Sequence, residues 1–216
     1  MNALLNELKE FNARLTDCGA RYVLIGGLAL SAHQIPRATQ DIDFLLNRLD
    51  ADEVDALLIS LGYQCIHRSD DAANYRRGLA AIYFIYAYRP RALELIETAQ
   101  TRQIGAQSLN VVTVEGIIGL KLQALTNDPR RLQDLIDIRN LIQKHRANLN
   151  LTQLYDYFLL FDKARATSVI QTLVLPKRQT SKSNLRLRNC DRRTTKRVLL
   201  NNWPDALQKF YKSRRI

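Results

Sequence analysis

Two glycines and two carboxylates near the N-terminus have the spacing of a phosphate-transfer site. An apolar run ends at Gly26-Gly27, and Asp41-Ile-Asp43, separated from Gly27 by thirteen residues, opens a second apolar run. Glycines that follow a strand let backbone N–H groups approach a phosphate closely. Carboxylates at positions i and i+2 of a strand share one face and repel each other unless a cation lies between them, and such oxygen ligands suit Mg²⁺. The pattern predicts phosphoryl or nucleotidyl transfer; the alternative is a tight turn followed by a helix N-terminus.

The segment between the glycines and the carboxylates strengthens this prediction. Arg37-Ala-Thr39 immediately precedes Asp41 and Asp43. The glycine pair, short helix and Asp-x-Asp together resemble the polymerase-β-like nucleotidyltransferase superfamily. The Arg37-x-Thr39-x-Asp41-x-Asp43 form resembles its branch of minimal nucleotidyltransferases, the AbiEii/AbiGii-type toxins. The resemblance covers about residues 20–142.

The resemblance implies an activity and a set of nucleotide contacts. An NTP would transfer its NMP to an acceptor hydroxyl and release pyrophosphate, with Mg²⁺ or Mn²⁺ as the cofactor. Gly26 and Gly27 would offer backbone N–H groups to the phosphates. The other expected nucleotide-binding residues are Ser31, Arg37 and Thr39. Ser31 could equally be an inert helix residue, and Arg37 could pair with Asp41 instead of a phosphate.

A third metal ligand is expected from a neighbouring strand. Two-metal transfer needs more than one pair of acids, and the superfamily takes its third acid from a strand with apolar flanks. Residues 92–97 have the composition of such a strand, with Glu94 between two leucines. We therefore expect Asp41, Asp43 and Glu94 to hold the metal, with Glu97 as the competing third acid.

The C-terminal half carries a second group of charged residues. Lys121 lies among apolar residues, so its ammonium either extends to solvent or faces a ligand. Asp134 and Asp137 are spaced i,i+3 and share a helix face. The AbiEii-type branch also carries a Lys on one helix and an Arg followed by Asp-x-x-Asp on the next. This resemblance implies that Lys121 contacts the triphosphate as a catalytic residue and that Asp134 and Asp137 belong to the nucleotide-binding site. The alternatives are ordinary ion pairs of Asp134 or Asp137 with Arg130, Arg131 or Lys121, or an orienting contact between Asp137 and Lys121.

The predicted elements form a mixed α/β (α+β) protein. Hydrophobic periodicity predicts a mixed α/β half followed by a helical half. With this order, the resemblance implies a small mixed β-sheet nucleotidyltransferase core with flanking helices at residues 1–112 and a C-terminal helical lobe at 113–175. Helices are expected at 2–18, 28–34, 50–61, 114–125, from 128 to about 145, and 150–167. Strands are expected at 21–26, 42–46, 63–67, 80–88, 92–97 and 109–113.

The net charge of +11 lies entirely in the last 41 residues. Residues 176–216 hold 13 Lys and Arg and two Asp, whereas residues 1–175 hold 19 of each sign. This basic tail does not resemble the family. It could be an RNA-binding arm, a disordered end, or a reading frame that has drifted, and its Trp203, Phe210 and Tyr211 could stack on bases or on the core.

Composition and the family resemblance together predict the location, the partners and the role of the protein. Three scattered cysteines, Cys18, Cys65 and Cys190, and the lack of a long apolar run predict a cytoplasmic protein with no membrane association. The resemblance implies a toxin of a toxin–antitoxin or phage-defence pair, with an NTP, an RNA, tRNA or protein acceptor, and a cognate antitoxin as partners. The rival functions are nucleotidylation of a small molecule such as an aminoglycoside, and non-catalytic binding of a nucleotide or partner.

Overall fold

A seven-stranded mixed sheet forms the centre of the protein. The computed structural model describes residues 2–161, and side chains from residue 4 onward. The strand order is β3-β4-β5-β2-β1-β7-β6. The strands are β1 (Tyr22–Leu24), β2 (Asp41–Asn47), β3 (Gln64–Arg68), β4 (Ala72–Arg77), β5 (Ala80–Ala87), β6 (Gln100–Ile104) and β7 (Gln107–Val111). The mixed α/β class and the central sheet predicted from sequence are confirmed.

Seven α-helices accompany the sheet within residues 2–161. They are α1 (Asn2–Asp17), α2 (Gly26–Ala32), α3 (Ala51–Ser60), α4 (Pro90–Glu97), α5 (Val114–Asn127), α6 (Leu132–His145) and α7 (Leu151–Phe161). The helix α1 ends where Gly19 takes a φ of +70°, a conformation that favours glycine over residues with a Cβ.

The register of the sheet fixes which residues lie beside the carboxylates. Strands β2 and β5 run parallel, and Asp43 lies opposite Tyr83. Strand β1 pairs antiparallel with β2, and the Ile25 N–H donates to the Asp43 carbonyl at 2.9 Å. This hydrogen bond holds the glycine pair, which directly follows β1, beside the first residues of β2.

One face of the sheet packs on α1 and α3 to form the aromatic part of the core. Phe11 of α1 contacts Phe44 and Phe84, whose rings stack at 5.8 Å between centroids. These three side chains are at most 1% exposed. Phe44 alternates with Asp43 along β2, so the same burial that anchors the phenylalanines turns the carboxylates to the opposite face.

The helices α5, α6 and α7 pack together as the predicted C-terminal helical elements. Gly119 of α5 allows close approach, since a Cβ there would lie 2.8 Å from the Tyr157 ring of α7. Glu115, also on α5, accepts a hydrogen bond from the Asn150 N–H at 2.7 Å. These contacts join α7 to α5 and leave the opposite side of α5 for α6.

Residues 92–97 form a helix, and the predicted strand there is wrong. Pro90 occupies the first helical position of α4, where its missing N–H costs nothing. Alanine, leucine and glutamate are strong helix formers, and this outweighs the short alternation that suggested a strand. Only Leu95 of this helix is buried.

Other differences concern short elements. Strands β4 and β6 were not predicted, and Gly26 and Gly27 lie within the first turn of α2. The helix α6 begins at Leu132, because the Asp128 side chain binds the backbone and guanidinium of Arg130 instead of capping a helix.

The basic tail at 176–216, with Cys190 and the tail aromatics, lies outside the described residues, as does the predicted helix beyond 161. Within residues 2–161, every helix is too short or too polar to cross a bilayer.

Candidate active site

Asp41 and Asp43 lie side by side on one face of β2. Both are partly exposed, whereas Ile42 and Phe44 on the other face have no exposed surface. The strand therefore holds two carboxylates in a shared, partly solvated site with a buried hydrophobic anchor beneath them. This placement agrees with the spacing prediction.

Gly26 leaves the space that the Asp43 carboxylate occupies. Its φ of +66° is in the region that favours glycine. A Cβ at this position would overlap the carboxylate and Cβ of Asp43. Position 26 therefore needs glycine for two separate reasons, its backbone conformation and the approach of the acid.

Gly27 and Thr39 fix the loop that leads to the carboxylates. A Cβ on Gly27 would lie 2.7 Å from the Thr39 Cβ, so the two backbones approach closely. The Thr39 hydroxyl accepts from the Asp41 N–H at 3.4 Å and donates to the Asp41 carbonyl at 3.3 Å. Thr39 thus orients the first residue of β2, a positioning contact within the protein.

Asp43 has an unusual protonation equilibrium. Burial raises the pKa of the Asp43 carboxyl from 3.8 to about 6, and repulsion from Asp41 adds to the rise. The Gly27 backbone N–H and the positive charges of Lys121 and Arg131 act in the opposite direction and lower this pKa. A carboxyl held close to a second one in this way is stabilised by a bound cation.

Lys121 forms a buried charge cluster with the two acids of α6. Its Nζ donates to Asp134 at 2.7 Å and to Asp137 at 2.8 Å, so the ion pairs cross from α5 to α6. The side chains are 13%, 9% and 3% exposed, respectively. Both alternatives to nucleotide binding, an ion pair with Lys121 and an orienting contact between Asp137 and Lys121, agree with these distances.

The remaining oxygens of both aspartates also have partners. Arg131 donates to the second Asp134 oxygen at 2.6 Å, and Gln133 donates to the second Asp137 oxygen at 2.9 Å. Burial raises the pKa of Asp134, but the hydrogen bonds from Lys121 and Arg131 outweigh it and lower the pKa overall. This lowered pKa favours the ionised form of Asp134.

The cations of the charge cluster act electrostatically on Asp43 of β2. Lys121 and Arg131 lie near enough for their charges to lower the pKa of Asp43, and α2 packs against α5. The sequence indicates Arg131 only as a possible ion-pair partner of the α6 acids, and the structure contains this pair with Asp134. Its i,i+3 spacing to Asp134 was the available signal, but its approach to Asp43 depends on tertiary packing.

Two predicted nucleotide-binding residues, Arg37 and Ser31, and one further residue, His33, differ in their surroundings. Arg37 is exposed and has no hydrogen bond or ion pair among residues 2–161. Ser31 is exposed and donates to the Gly27 carbonyl at 3.3 Å. His33 ends α2, is 1% exposed, and hydrogen-bonds the Val112 carbonyl at 2.7 Å. Burial lowers the pKa of His33, as expected for a neutral structural histidine.

Glu94 does not complete a three-carboxylate cluster. It lies on α4 and pairs with Arg91 at 3.1 Å, with 39% of its side chain exposed. Across residues 2–161, no three His, Cys, Asp or Glu side chains are gathered closely enough to hold a metal ion. The competitor Glu97 is the last residue of the same helix. The expectation of a third acid failed with the strand on which it depended.

The fold is that of known nucleotidyltransferases. The solution structure of the antibiotic-resistance factor ANT(2″)-Ia matches this fold with a TM-score of 0.58 at 14% identity, and the match covers 79% of this chain and 97% of that one. Its crystal structure with adenylyl-2″-tobramycin matches with a TM-score of 0.56 at 16% identity, covering 72% and 95%. An antigenic nucleotidyltransferase-like protein from Paracoccidioides brasiliensis gives 0.51 at 18% identity, covering 79% and 91%.

A family model narrows the assignment. Residues 83–214 match the model described as nucleotidyl transferase AbiEii toxin, type IV toxin–antitoxin system. The chain belongs to this AbiEii family of nucleotidyltransferases. The match begins after the glycine and carboxylate pairs and includes the basic tail, so the expectation that the tail lies outside the family is wrong. No curated protein matches the chain.

Proposed function

We propose that this nucleotidyltransferase transfers NMP in a metal-dependent reaction centred on Asp41 and Asp43. An acceptor hydroxyl oxygen attacks the α-phosphorus of an NTP. A new phosphorus–oxygen bond forms, the bond to the β-phosphate bridging oxygen breaks, pyrophosphate leaves, and the hydroxyl proton passes to solvent. The family match supports the reaction class, and the assignment of residues rests on the geometry of β2.

The carboxylate pair carries this proposal. Asp41 and Asp43 form no ion pair within residues 2–161, and burial, together with repulsion from Asp41, raises the pKa of Asp43. Two unneutralised carboxylates on one face suit Mg²⁺ or Mn²⁺, which prefer oxygen ligands and keep further positions for phosphate oxygens. Such an ion, when bound, neutralises the pair and stabilises negative charge on the triphosphate. We leave Glu94 out of the ligand set.

The surrounding residues would bind and orient the nucleotide. Lys121 lowers the pKa of Asp43 through its charge and is held by Asp134 and Asp137. We propose that the ammonium, already ordered by these contacts, meets the triphosphate with little loss of side-chain freedom on binding. Arg37 is exposed and free of partners among residues 2–161, which suits a phosphate contact.

The glycine turn completes the proposed nucleotide site. Gly26 and Gly27 place backbone beside the carboxylates with no side chain in the way. We propose that this backbone contacts the phosphates, and that Thr39 and Ser31 shape the turn around it. The family name supports a toxin role with a cognate antitoxin. An RNA or a protein as the acceptor is part of the proposal and rests on the resemblance to this family.

The direct test supplies the full chain with each α-labelled NTP, Mg²⁺ and total cellular RNA and protein. Asp41→Asn/Asp43→Asn should lower label transfer by roughly three orders of magnitude, since a metal ion contributes several kcal/mol to such a transition state. Asp70→Asn removes a fully exposed acid and serves as the matched control. Equal transfer by the double variant and wild type would reject the proposed site, and label on a small molecule alone would replace the macromolecular acceptor.

A further inference from the structure

Two histidines join the ends of the helices α2, α5 and α6. His33 directly follows α2, and its Nε2 donates at 2.7 Å to the carbonyl of Val112, two residues before α5 begins. His145, the last residue of α6, donates from its Nε2 to the His33 carbonyl at 2.9 Å. The two rings are perpendicular, with 5.9 Å between their centroids. We name these two side chains, with the carbonyls that they bind, the histidine clasp.

The carbonyl that His33 binds belongs to a well-anchored part of the backbone. Val112 has no exposed surface, and its N–H donates to the Leu24 carbonyl at 3.1 Å, which extends the pairing of β7 with β1. The next residue, Thr113, caps α5 by accepting a hydrogen bond from the Gly116 N–H at 3.1 Å. His33 therefore ties the end of α2 to the point where the sheet passes into α5.

The hydrogen bonds of the clasp define the protonation of His33. A carbonyl oxygen can only accept, so Nε2 carries the proton and the lone pair of the neutral ring lies on Nδ1. This Nδ1 is buried and has no hydrogen-bond partner within residues 2–161. A second proton on it would be a buried donor without an acceptor and would add a buried charge, and both are unfavourable. The surroundings therefore hold the ring in one neutral form.

Charged groups on three elements act on the His33 ring. Burial is the main cause that lowers the pKa of His33, and the charges of Arg102 on β6 and His145 on α6 lower it further. The hydrogen bond to the Val112 carbonyl and the charge of Glu115 on α5 raise this pKa but do not offset the burial. The clasp therefore keeps the same pattern of hydrogen bonds through neutral pH, as a fixed joint between the helices would.

Each of the three joined helices leads from the clasp to the candidate active site. Along α2, Gly27 lies about 9 Å from His33 at the helical rise of about 1.5 Å per residue. At the same rise, the ion pair of Lys121 with Asp137 lies about 12 Å from the N-cap of α5 and about 12 Å from His145 along α6. A tilt of about 6° at the joint moves the far end of a 9 Å arm by about 1 Å.

Resting on the proposed transfer reaction, we propose that His33 and His145 are positioning residues for the transfer of NMP. The clasp sets the angle of α2 against α5 and α6, and with it the distance between the glycine turn beside Asp43 and the ammonium of Lys121. In the proposed function, these groups act on one triphosphate and its metal ion at the same time. A displacement of about 1 Å between groups that act in one transition state lowers a rate by about a hundred-fold.

The kinetics of full-length variants test the proposal. His33→Leu fills the buried site without a donor, and we expect a kcat about a hundred-fold lower with a KM for NTP within about three-fold of wild type. His33→Gln places an amide N–H near the position of Nε2 and should recover kcat to within about five-fold of wild type. His145→Leu leaves the bond from His33 to Val112 in place and should lower kcat by about ten-fold. The half-buried His145 keeps the test open if His33→Leu does not fold.

The third histidine of the chain supplies the matched control. His67 is exposed on the edge strand β3, and His67→Leu should leave kcat within about two-fold of wild type. Circular dichroism at the assay temperature gives the folded fraction of each variant, and kcat is expressed per folded molecule. A purely structural role of the clasp would lower stability but leave this kcat at the wild-type value in both His33→Leu and His145→Leu, and that result would overturn the proposal.

Hydrogen exchange tests the clasp without any NTP. In His145→Leu, the backbone amides of residues 26–34 should exchange faster than in wild type, whereas those of residues 72–87 in β4 and β5 should keep their wild-type rates. Unchanged exchange at residues 26–34 would overturn the proposal. A wild-type chain that transfers no NMP from any NTP would instead reject the proposed function. An active wild type whose clasp variants match it in kcat would reject the clasp and leave the proposed function in place.

Discussion

The protein contains two pairs of closely spaced aspartates whose surroundings differ. Asp134 and Asp137 on α6 have all four carboxylate oxygens bound by Lys121, Arg131 and Gln133. Asp41 and Asp43 on β2 form no ion pair among residues 2–161. The pKa of Asp134 is lowered, whereas that of Asp43 is raised to about 6.

This difference separates a structural pair of acids from one that lacks its counter-charge. The α6 pair is neutralised by cations that the protein supplies, so it contributes to folding and to the placement of Lys121. Holding Asp41 and Asp43 together on β2 lowers the stability of the fold, because Asp43 is buried and repelled by Asp41. Proteins keep such unfavourable arrangements mainly at sites that bind a ligand. Removing a charge should therefore have opposite effects in the two places.

The largest effect is expected from breaking the neutralised pair. Asp137→Asn leaves Lys121 with one carboxylate in a site where Asp137 is 3% exposed. Removing one partner of a buried ion pair leaves the positive charge of Lys121 less fully compensated. We therefore expect a loss of about 3 kcal/mol in the free energy of unfolding. Urea denaturation measures it. Asp128→Asn, which breaks an exposed pair with Arg130, should cost less than about 1 kcal/mol; equal losses in the two variants would contradict the comparison.

A glycine variant tests how the unneutralised pair is held. Gly26→Ala adds a Cβ that overlaps the Asp43 carboxylate at a φ of +66°. We expect a loss of about 2 kcal/mol in stability and a transfer rate at least ten-fold lower, because Asp43 must move. Gly19→Ala has the same conformational cost, with a φ of +70° and open space around its Cβ. Its loss should be about 1 kcal/mol with activity unchanged; a Gly26→Ala variant that kept full activity would show that the carboxylate position is not required.

Neutralising Asp43 should stabilise the metal-free protein. The folded-state pKa of about 6 exceeds the ordinary 3.8, so the folded protein binds more protons and wild type loses stability as pH rises between these values. At pH 8 in EDTA, we expect Asp43→Asn to be more stable by about 1–2 kcal/mol, and at pH 3.5 nearly equal to wild type.

Denaturation at the two pH values, with and without Mg²⁺, measures this difference. Added Mg²⁺ should stabilise wild type but not Asp43→Asn, because binding to the folded state alone raises stability by mass action. The gain in wild type should also shrink below pH 6, where protons compete for Asp43. A destabilised Asp43→Asn protein at pH 8 would place Asp43 with the structural acids.

Sequence predicted those parts of the fold and site that depend on neighbours in the chain. The glycine pair, the Asp-x-Asp and the helices α1 and α5 have short-range signals: spacing, periodicity and a terminal glycine. Sequence spacing does not decide whether Lys121 of α5 contacts Asp134 or Asp137 of α6, because a loop separates the two helices. Only the packing of α5 on α6 brings the Lys121 ammonium within 2.8 Å of both carboxylates.

The sequence patterns do not predict which strands pair when those strands are far apart in the chain. Tyr83 lies opposite Asp43 because β2 and β5 are parallel neighbours, although α3, β3 and β4 intervene in the chain. Arg76 and Arg77 look alike in sequence, and register sends them to opposite faces. The strand predicted at 92–97 failed for a local reason: six residues fit either period, and the preceding Pro90 favours a helix start.

The smallest effect is expected at Glu94, the acid that was predicted to join the metal site from a strand at residues 92–97 and that lies on helix α4 instead. Glu94→Gln removes one partner of an exposed i,i+3 pair with Arg91. We expect a stability change below about 0.5 kcal/mol and a transfer rate and Mg²⁺ requirement within two-fold of wild type. Activity titrated against Mg²⁺ measures both, with Asp43→Asn as the variant that should lose the metal response. A ten-fold higher Mg²⁺ requirement in Glu94→Gln would mean that α4 moves Glu94 to the carboxylates when nucleotide binds, and would restore it as the third ligand.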